Sequence, residues 1–217
     1  MAITPRAKQF VLMVLRDRWK KVLDHYECRM LIHQQLLKLH ASNEITLFAE
    51  LLVGVSNKEA SYGASGRLRF GQKILGKNPD AAQKLFRVAE EFMDLKNGHG
   101  LDVPGIIDNA HLKYFRIGIG SEASCMLNPD VCWITNTRTV WAGLVYEHGL
   151  GQANEALQAN KALGDAKGHR KLLEYWPSII NEGNALSTKA GVTPPGKGKY
   201  IWADAIANAL YMHHHPK

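Results

Sequence analysis

The stretch LKYFRIGIGSEASCML, residues 112–127, decides how this chain folds. Two short helical patterns, over residues 108–115 and 121–127, flank the tripeptide Gly118-Ile119-Gly120. Glycines permit a tight turn and a close approach of another backbone, the isoleucine anchors the turn in the core, and Ser121 is a good cap for the next helix. The pattern predicts a helix-hairpin-helix unit, although an ordinary tight corner between two helices has the same glycines.

Helical spacing of apolar residues continues on both sides of this stretch. Thr4-Pro5 begins one long helix, or two in series, predicted over about residues 5–41, and Asn78-Pro79 begins an amphipathic helix that ends at Gly98. Alternation typical of strands never extends beyond a few residues. We therefore predict an all-α fold, a compact two-lobed bundle with a basic N-terminal lobe at 1–100, containing a loop at 56–77, and a helix-hairpin-helix lobe at 101–217. Further helices are predicted at about 43–52, 136–148, 152–163, 168–190 and 199–213.

Composition places the chain among ordinary globular proteins. Of its 217 residues, 46% are hydrophobic and 22% are charged, which excludes a disordered, collagen-like or disulfide-scaffold chain. We find no apolar run long enough for a membrane helix and no export signal, so no membrane association is predicted. Three cysteines without C-x-x-C spacing favour a reducing, cytoplasmic location, at the nucleoid if the source is prokaryotic.

The charge balance indicates a polyanionic partner. There are 27 basic and 20 acidic residues, a formal net charge of +7. Residues 1–40 hold eight Lys or Arg against three acids, and residues 56–77 hold five against one. Such a concentration is typical of nucleic-acid binding, and a solvated basic surface that serves only solubility is the alternative.

Two segments are predicted to contact DNA phosphates. The loop at 61–73 interleaves aromatics, glycines and basic residues, which suits backbone clamping and base stacking, or else a solvated connection. The hairpin amides at Gly118, Ile119, Gly120 and Ser121 can hold a phosphate without reading any base. The basic residues predicted to bind DNA in and around these segments are Arg67, Arg69, Lys73, Lys113, Arg116 and Arg138.

The order of elements in the second half resembles the helix-hairpin-helix DNA glycosylase superfamily. The hairpin is followed by a short extended segment at 131–134 and by a polar-led helix that starts at Asn136-Thr-Arg138. Residues 176–190 and 200–204 look like the last helices of its archaeal oxidised-guanine branch. The resemblance covers about 105–210 and implies base flipping and hydrolysis of the N-glycosidic bond, with no cofactor.

This chain departs from that superfamily at two positions. The lysine of bifunctional members is replaced by Glu122, and the catalytic aspartate is replaced by Asn136. A carboxylate cannot form a Schiff base, so the resemblance implies monofunctional excision in which Glu122 or Asn136 positions water or stabilises the sugar cation. Trp133 is the candidate wall of the base pocket. The alternatives are an acid placed for the helix dipole and a tryptophan buried in the core.

The predicted function is therefore DNA binding of the glycosylase type, with double-stranded DNA as the partner and no obligate protein partner. A non-catalytic nucleoprotein or architectural factor would explain the missing lysine and aspartate directly, and a helical protein-interaction module is a third reading. No metal site is predicted, because His25, His33 and His40 are spaced seven or eight residues apart and lack the i, i+4 pairing of zinc proteases.

Overall fold

A computed structural model describes residues 4–55, 69–159 and 166–215, and within these ranges the regular structure is entirely helical. The predicted all-α class is confirmed. No helix in the described part of the chain combines the length and the apolar character that a membrane span needs. The α-helices are α1 (Pro5–Ala41), α2 (Ile45–Leu52), α3 (Phe70–Lys77), α4 (Ala81–Asp94), α5 (Val103–Asn109), α6 (Ile117–Leu127), α7 (Thr137–His148), α8 (Leu150–Ala159), α9 (Ala166–Leu172), α10 (Trp176–Lys189) and α11 (Lys199–His214).

The chain divides into two compact units. The central unit is Cys28–Ile134, and the split unit combines Met1–Glu27 with Thr135–Lys217. These boundaries differ from the predicted lobes at 1–100 and 101–217, and the first of them falls inside α1. Apart from a kink at Arg18, the helical stretch of α1 continues across this boundary, so composition alone contains no signal at that point.

The core of the central unit forms around α4, which packs against α2, α3, α5 and α6. Its apolar face is buried and includes Phe86, whose ring stacks on His40 at 4.3 Å between centroids and meets Phe48 edge-on. Asn128, just after α6, donates hydrogen bonds to the carbonyl oxygens of Phe92 and Leu95. These bonds satisfy backbone groups at the end of α4 that have no partner within the helix.

The split unit is built around α11, whose residues are buried from Tyr200 to Ala207. Trp202 meets the rings of Trp19 and Tyr26 edge-on at 5.5 and 5.6 Å between centroids. Gly183 allows α10 to pack closely against α11, because a Cβ at this position would lie 2.3 Å from the Ile206 side chain. The prediction that most tryptophans belong to the core is confirmed for Trp133, Trp141, Trp176 and Trp202.

The predicted local geometry of the hairpin is wrong. Residues 110–116 form the turn, and Gly118, Ile119 and Gly120 lie inside the first turns of α6 instead of between two helices. Ser121 does not cap the helix, because the N-cap is Arg116. Helices α5 and α6 do pack together, since a Cβ at Gly120 would lie 2.4 Å from Ile107. This glycine serves helix packing, and a helix-hairpin-helix unit is not confirmed.

Two other predicted segments differ from the structure. The expected helix at 168–190 is two helices, α9 and α10, because Pro177 is tolerated only in the first turn of a helix. The expected loop at 56–77 contains α3 at its end, while residues 56–68, including Arg67, lie outside the described residues.

Candidate nucleic-acid interface

A basic surface pocket of about 320 Å³ lies in the central unit at the start of α6. We call it the basic pocket. It brings together several of the residues that the sequence predicts to bind DNA. Its lining residues are Phe70, Lys113, Tyr114, Arg116, Gly118 and Ile119.

The turn between α5 and α6 presents the pocket's charged side chains. Leu112 and Phe115 are buried and anchor the turn, so Lys113 and Arg116, each one residue further on, are exposed. Tyr114 between them adopts a left-handed backbone conformation with φ of 72°. This conformation costs a residue with a Cβ on the order of 1–3 kcal/mol, and the buried anchors on either side hold it in place.

An aromatic pair forms the apolar wall of the basic pocket. Phe70, the first residue of α3, stacks on Tyr114 with centroids 6.1 Å apart and planes 22° apart. The ammonium group of Lys73, one turn along α3, lies 5.1 Å from the Phe70 centroid and 5.8 Å from that of Tyr114. The ammonium group of Lys113 is 5.4 Å from the Tyr114 centroid. Cations at these distances are attracted to ring faces, so the wall combines aromatic surface with positive charge.

The amino end of α6 adds backbone donors to this pocket. The amides of Ile119 and Gly120 donate to the Arg116 carbonyl oxygen, so they are used within the helix. The first amides of the helix, at Ile117 and Gly118, are the ones placed for an anion, because such groups have no partner one turn back. A Cβ at Gly118 would meet no atom within 4 Å, so this end of the helix is open. Of the four residues 118–121 predicted to bind phosphate, only Gly118 has a backbone amide that is placed for an anion at the start of α6.

Glu122 is buried in the central unit and paired with arginine. Its Oε1 accepts a hydrogen bond of 2.9 Å from the guanidinium of Arg29, and the residue is 4% exposed. Ser121 is fully buried, and its carbonyl oxygen accepts from the hydroxyl of Ser124. The alternative of an exposed acid facing the helix dipole is therefore wrong, and the carboxylate is held by a buried cation.

Asn136 in the split unit caps α7. Its side-chain oxygen accepts from the backbone amides of Arg138 and Thr139, and the hydroxyl of Thr139 accepts from the Asn136 amide, which completes a capping box. Arg138 donates to Asn208 at 2.5 Å. Both predicted site residues thus have structural partners, and the predicted helix start at this position is confirmed.

Trp133 is part of the core of the central unit. It is 2% exposed, and its ring lies so close to Gly100 that a Cβ there would be 2.5 Å from Cζ3. Cys125 and Cys132 in the same segment are also buried, and burial raises the pKa of the Cys132 thiol to about 12. All three residues are core residues in the structure, which for Trp133 is the alternative given above.

The two aromatic residues of the basic pocket are not among the predicted site residues. Phe70 lies in the loop at 61–73 that is predicted to bind phosphates, and Tyr114 lies between Lys113 and Arg116. An aromatic residue flanked by cations was the available signal. Within the described residues, no three His, Cys, Asp or Glu side chains come together as a metal ion requires.

No family model, curated protein or solved structure matches this chain. The resemblance to DNA glycosylases therefore stays a prediction.

Proposed function

We propose that this protein binds DNA through the basic pocket without removing a base, with double-stranded DNA as the polymer that its charge favours. One observation carries the proposal. Lys73, Lys113 and Arg116 surround an aromatic wall and an open helix start, and the pocket lining contains no acidic residue. This combination suits a phosphate backbone, which carries one negative charge on every nucleotide.

The three cations are available for phosphates. All three side chains are exposed, and none of them forms an ion pair with a carboxylate of the described residues. Other basic residues are engaged differently, since Lys20 pairs with Asp24. Unneutralised positive charge beside a helix start attracts anions, and its attraction falls with added salt.

The residues expected to perform base excision support this non-catalytic function. A carboxylate that activates water needs access to that water, and Glu122 is enclosed and faces the Arg29 guanidinium. The Asn136 side chain is occupied by the start of α7. DNA binding alone requires neither group, so binding without excision is the more economical function.

A salt titration tests the proposal. Binding of a fluorescent 20-base-pair duplex is measured by anisotropy for the parent and for the triple variant Lys73→Gln, Lys113→Gln, Arg116→Gln. Each phosphate contact contributes about 0.9 to the slope of log affinity against log salt, so the triple variant should lose up to about 2.7 units of slope. The matched control changes three exposed lysines outside the pocket lining, Lys20, Lys96 and Lys189, to Gln.

The proposal fails if the two triple variants weaken binding equally, or if the parent binds no duplex at low salt. Excision is tested separately, with duplexes that contain oxidised, deaminated or alkylated bases and with alkali to reveal abasic sites. Accumulation of abasic sites would support the glycosylase and contradict the non-catalytic function.

A further inference from the structure

We infer that the basic pocket holds an unpaired nucleotide, so that the protein prefers DNA with a single-stranded extension over blunt duplex. This inference rests on the proposed DNA binding and names the part of the DNA that the pocket takes. Its basis is the aromatic pair Phe70 and Tyr114, which phosphate binding alone does not require.

The two rings form one platform instead of a slot. Their centroids are 6.1 Å apart. Stacked aromatic planes are about 3.4 Å apart, as successive bases are along one DNA strand, so a base between two rings needs about 6.8 Å. A base therefore stacks on an outer face of the pair, where stacking tolerates any base because every base has a π-face.

The aromatic pair is placed to stack on the base of a nucleotide, and the neighbouring cations are placed to bind its phosphate. The Lys73 ammonium group lies within 6 Å of both ring centroids, and that of Lys113 lies within 6 Å of Tyr114. A base that stacks beside them brings its own phosphate close to these ammonium groups and to Arg116. The ring faces that attract the ammonium groups then attract the base, while the ammonium groups bind the phosphate.

The size and the chemistry of the pocket favour an unpaired base. Its volume of about 320 Å³ is at the small end of the range for ligand pockets, which is suitable for one nucleotide and far too small for a duplex. In a duplex, neighbouring bases cover both faces of each internal base, and a terminal base pair with its two strands is too large for the pocket, so blunt duplex can use the cations but not the rings. Only an unpaired nucleotide uses both.

The experiment compares three DNA molecules with the same duplex part. One is blunt, one carries a five-nucleotide extension, and one carries five abasic sugar-phosphate units, which keep the charges and remove the bases. Because stacking of one base changes affinity by roughly 5- to 150-fold, the nucleotide extension should bind tighter than the abasic one by a factor in this range. Thermal unfolding followed by circular dichroism checks that each protein variant is folded.

The variants Phe70→Leu and Tyr114→Leu should remove this ratio, because leucine fills the site without a flat ring. Tyr114→Phe keeps the ring and should keep the ratio. Phe10→Leu replaces a half-buried aromatic residue of the split unit, outside the pocket, and should give the parent's ratio.

The outcomes separate the two proposals. A parent that binds the nucleotide and abasic extensions equally, or a ratio that survives both Phe70→Leu and Tyr114→Leu, overturns the inference, while the salt slope still tests DNA binding by the cations. If no DNA is bound at all, both proposals fail. A ratio that disappears in Phe70→Leu and Tyr114→Leu but persists in Tyr114→Phe and Phe10→Leu establishes the unpaired-nucleotide pocket.

Discussion

Replacing Glu122 by glutamine should destabilise the fold severely, because the substitution removes the carboxylate that faces a buried guanidinium. Glu122 is 4% exposed and Arg29 is 7% exposed, with 2.9 Å between the carboxylate oxygen and the guanidinium nitrogen. Removing one partner of a buried pair costs about 3–5 kcal/mol. For a chain of this length, that loss lowers the unfolding temperature by about 6–20 °C.

The assay is urea unfolding followed by circular dichroism, applied to Glu122→Gln and to a double variant. Changing both residues to apolar ones, Arg29→Met with Glu122→Leu, should recover most of the loss, since neither charge is then left alone. The surface pair Lys20 and Asp24 has the same 2.9 Å separation and is exposed. Lys20→Gln should therefore leave the free energy of unfolding nearly unchanged.

If Glu122→Gln unfolds like the parent, the ion pair does not hold the carboxylate in place. The Glu122 carboxylate would then be available for a chemical role. A loss of base excision with unchanged stability would point to catalysis instead.

Three further predictions concern single positions. Urea unfolding should show that Gly118→Ala leaves the free energy of unfolding unchanged or raises it by up to about 1 kcal/mol. Gly120→Ala should lower it by about 1–3 kcal/mol, because the new Cβ clashes with Ile107. Equal effects of the two variants would contradict the packing role of Gly120. Asn136→Ala should cost about 1 kcal/mol of stability and Asn136→Ser clearly less, because serine also caps a helix; equal losses would argue against the capping box. Cys132, with a pKa of about 12, should resist a thiol reagent at pH 8 in the native protein and react once urea unfolds it, so rapid native labelling would contradict its burial.

Much of the helical pattern could be predicted because it depends on local sequence. Thr4-Pro5 starts α1, and the Thr4 hydroxyl accepts from the Ala7 amide as an N-cap residue does. The periodic apolar face of α4 and the capping signal at Asn136 also lie within a few residues of the helices that they define. Each of these signals acts over one or two helical turns.

The hairpin could not be placed correctly, because its glycines are compatible with two structures. A glycine permits a turn, and it also permits close packing of two helices. Whether Gly120 lies in a turn or against Ile107 depends on how α5 packs on α6, which local spacing does not encode. The same uncertainty applies to Glu122, whose partner Arg29 is 93 residues away along the chain.

The sequence by itself determined the helical class, the starts of several helices and the excess of positive charge, because these depend on residue type and near neighbours. Tertiary structure alone decided which charges are buried and which are exposed. It enclosed Glu122 with Arg29, and it brought Phe70 of α3 against Tyr114 of the turn before α6. Contacts between residues far apart in the chain arise from the packing of whole helices, so no short stretch of sequence contains them.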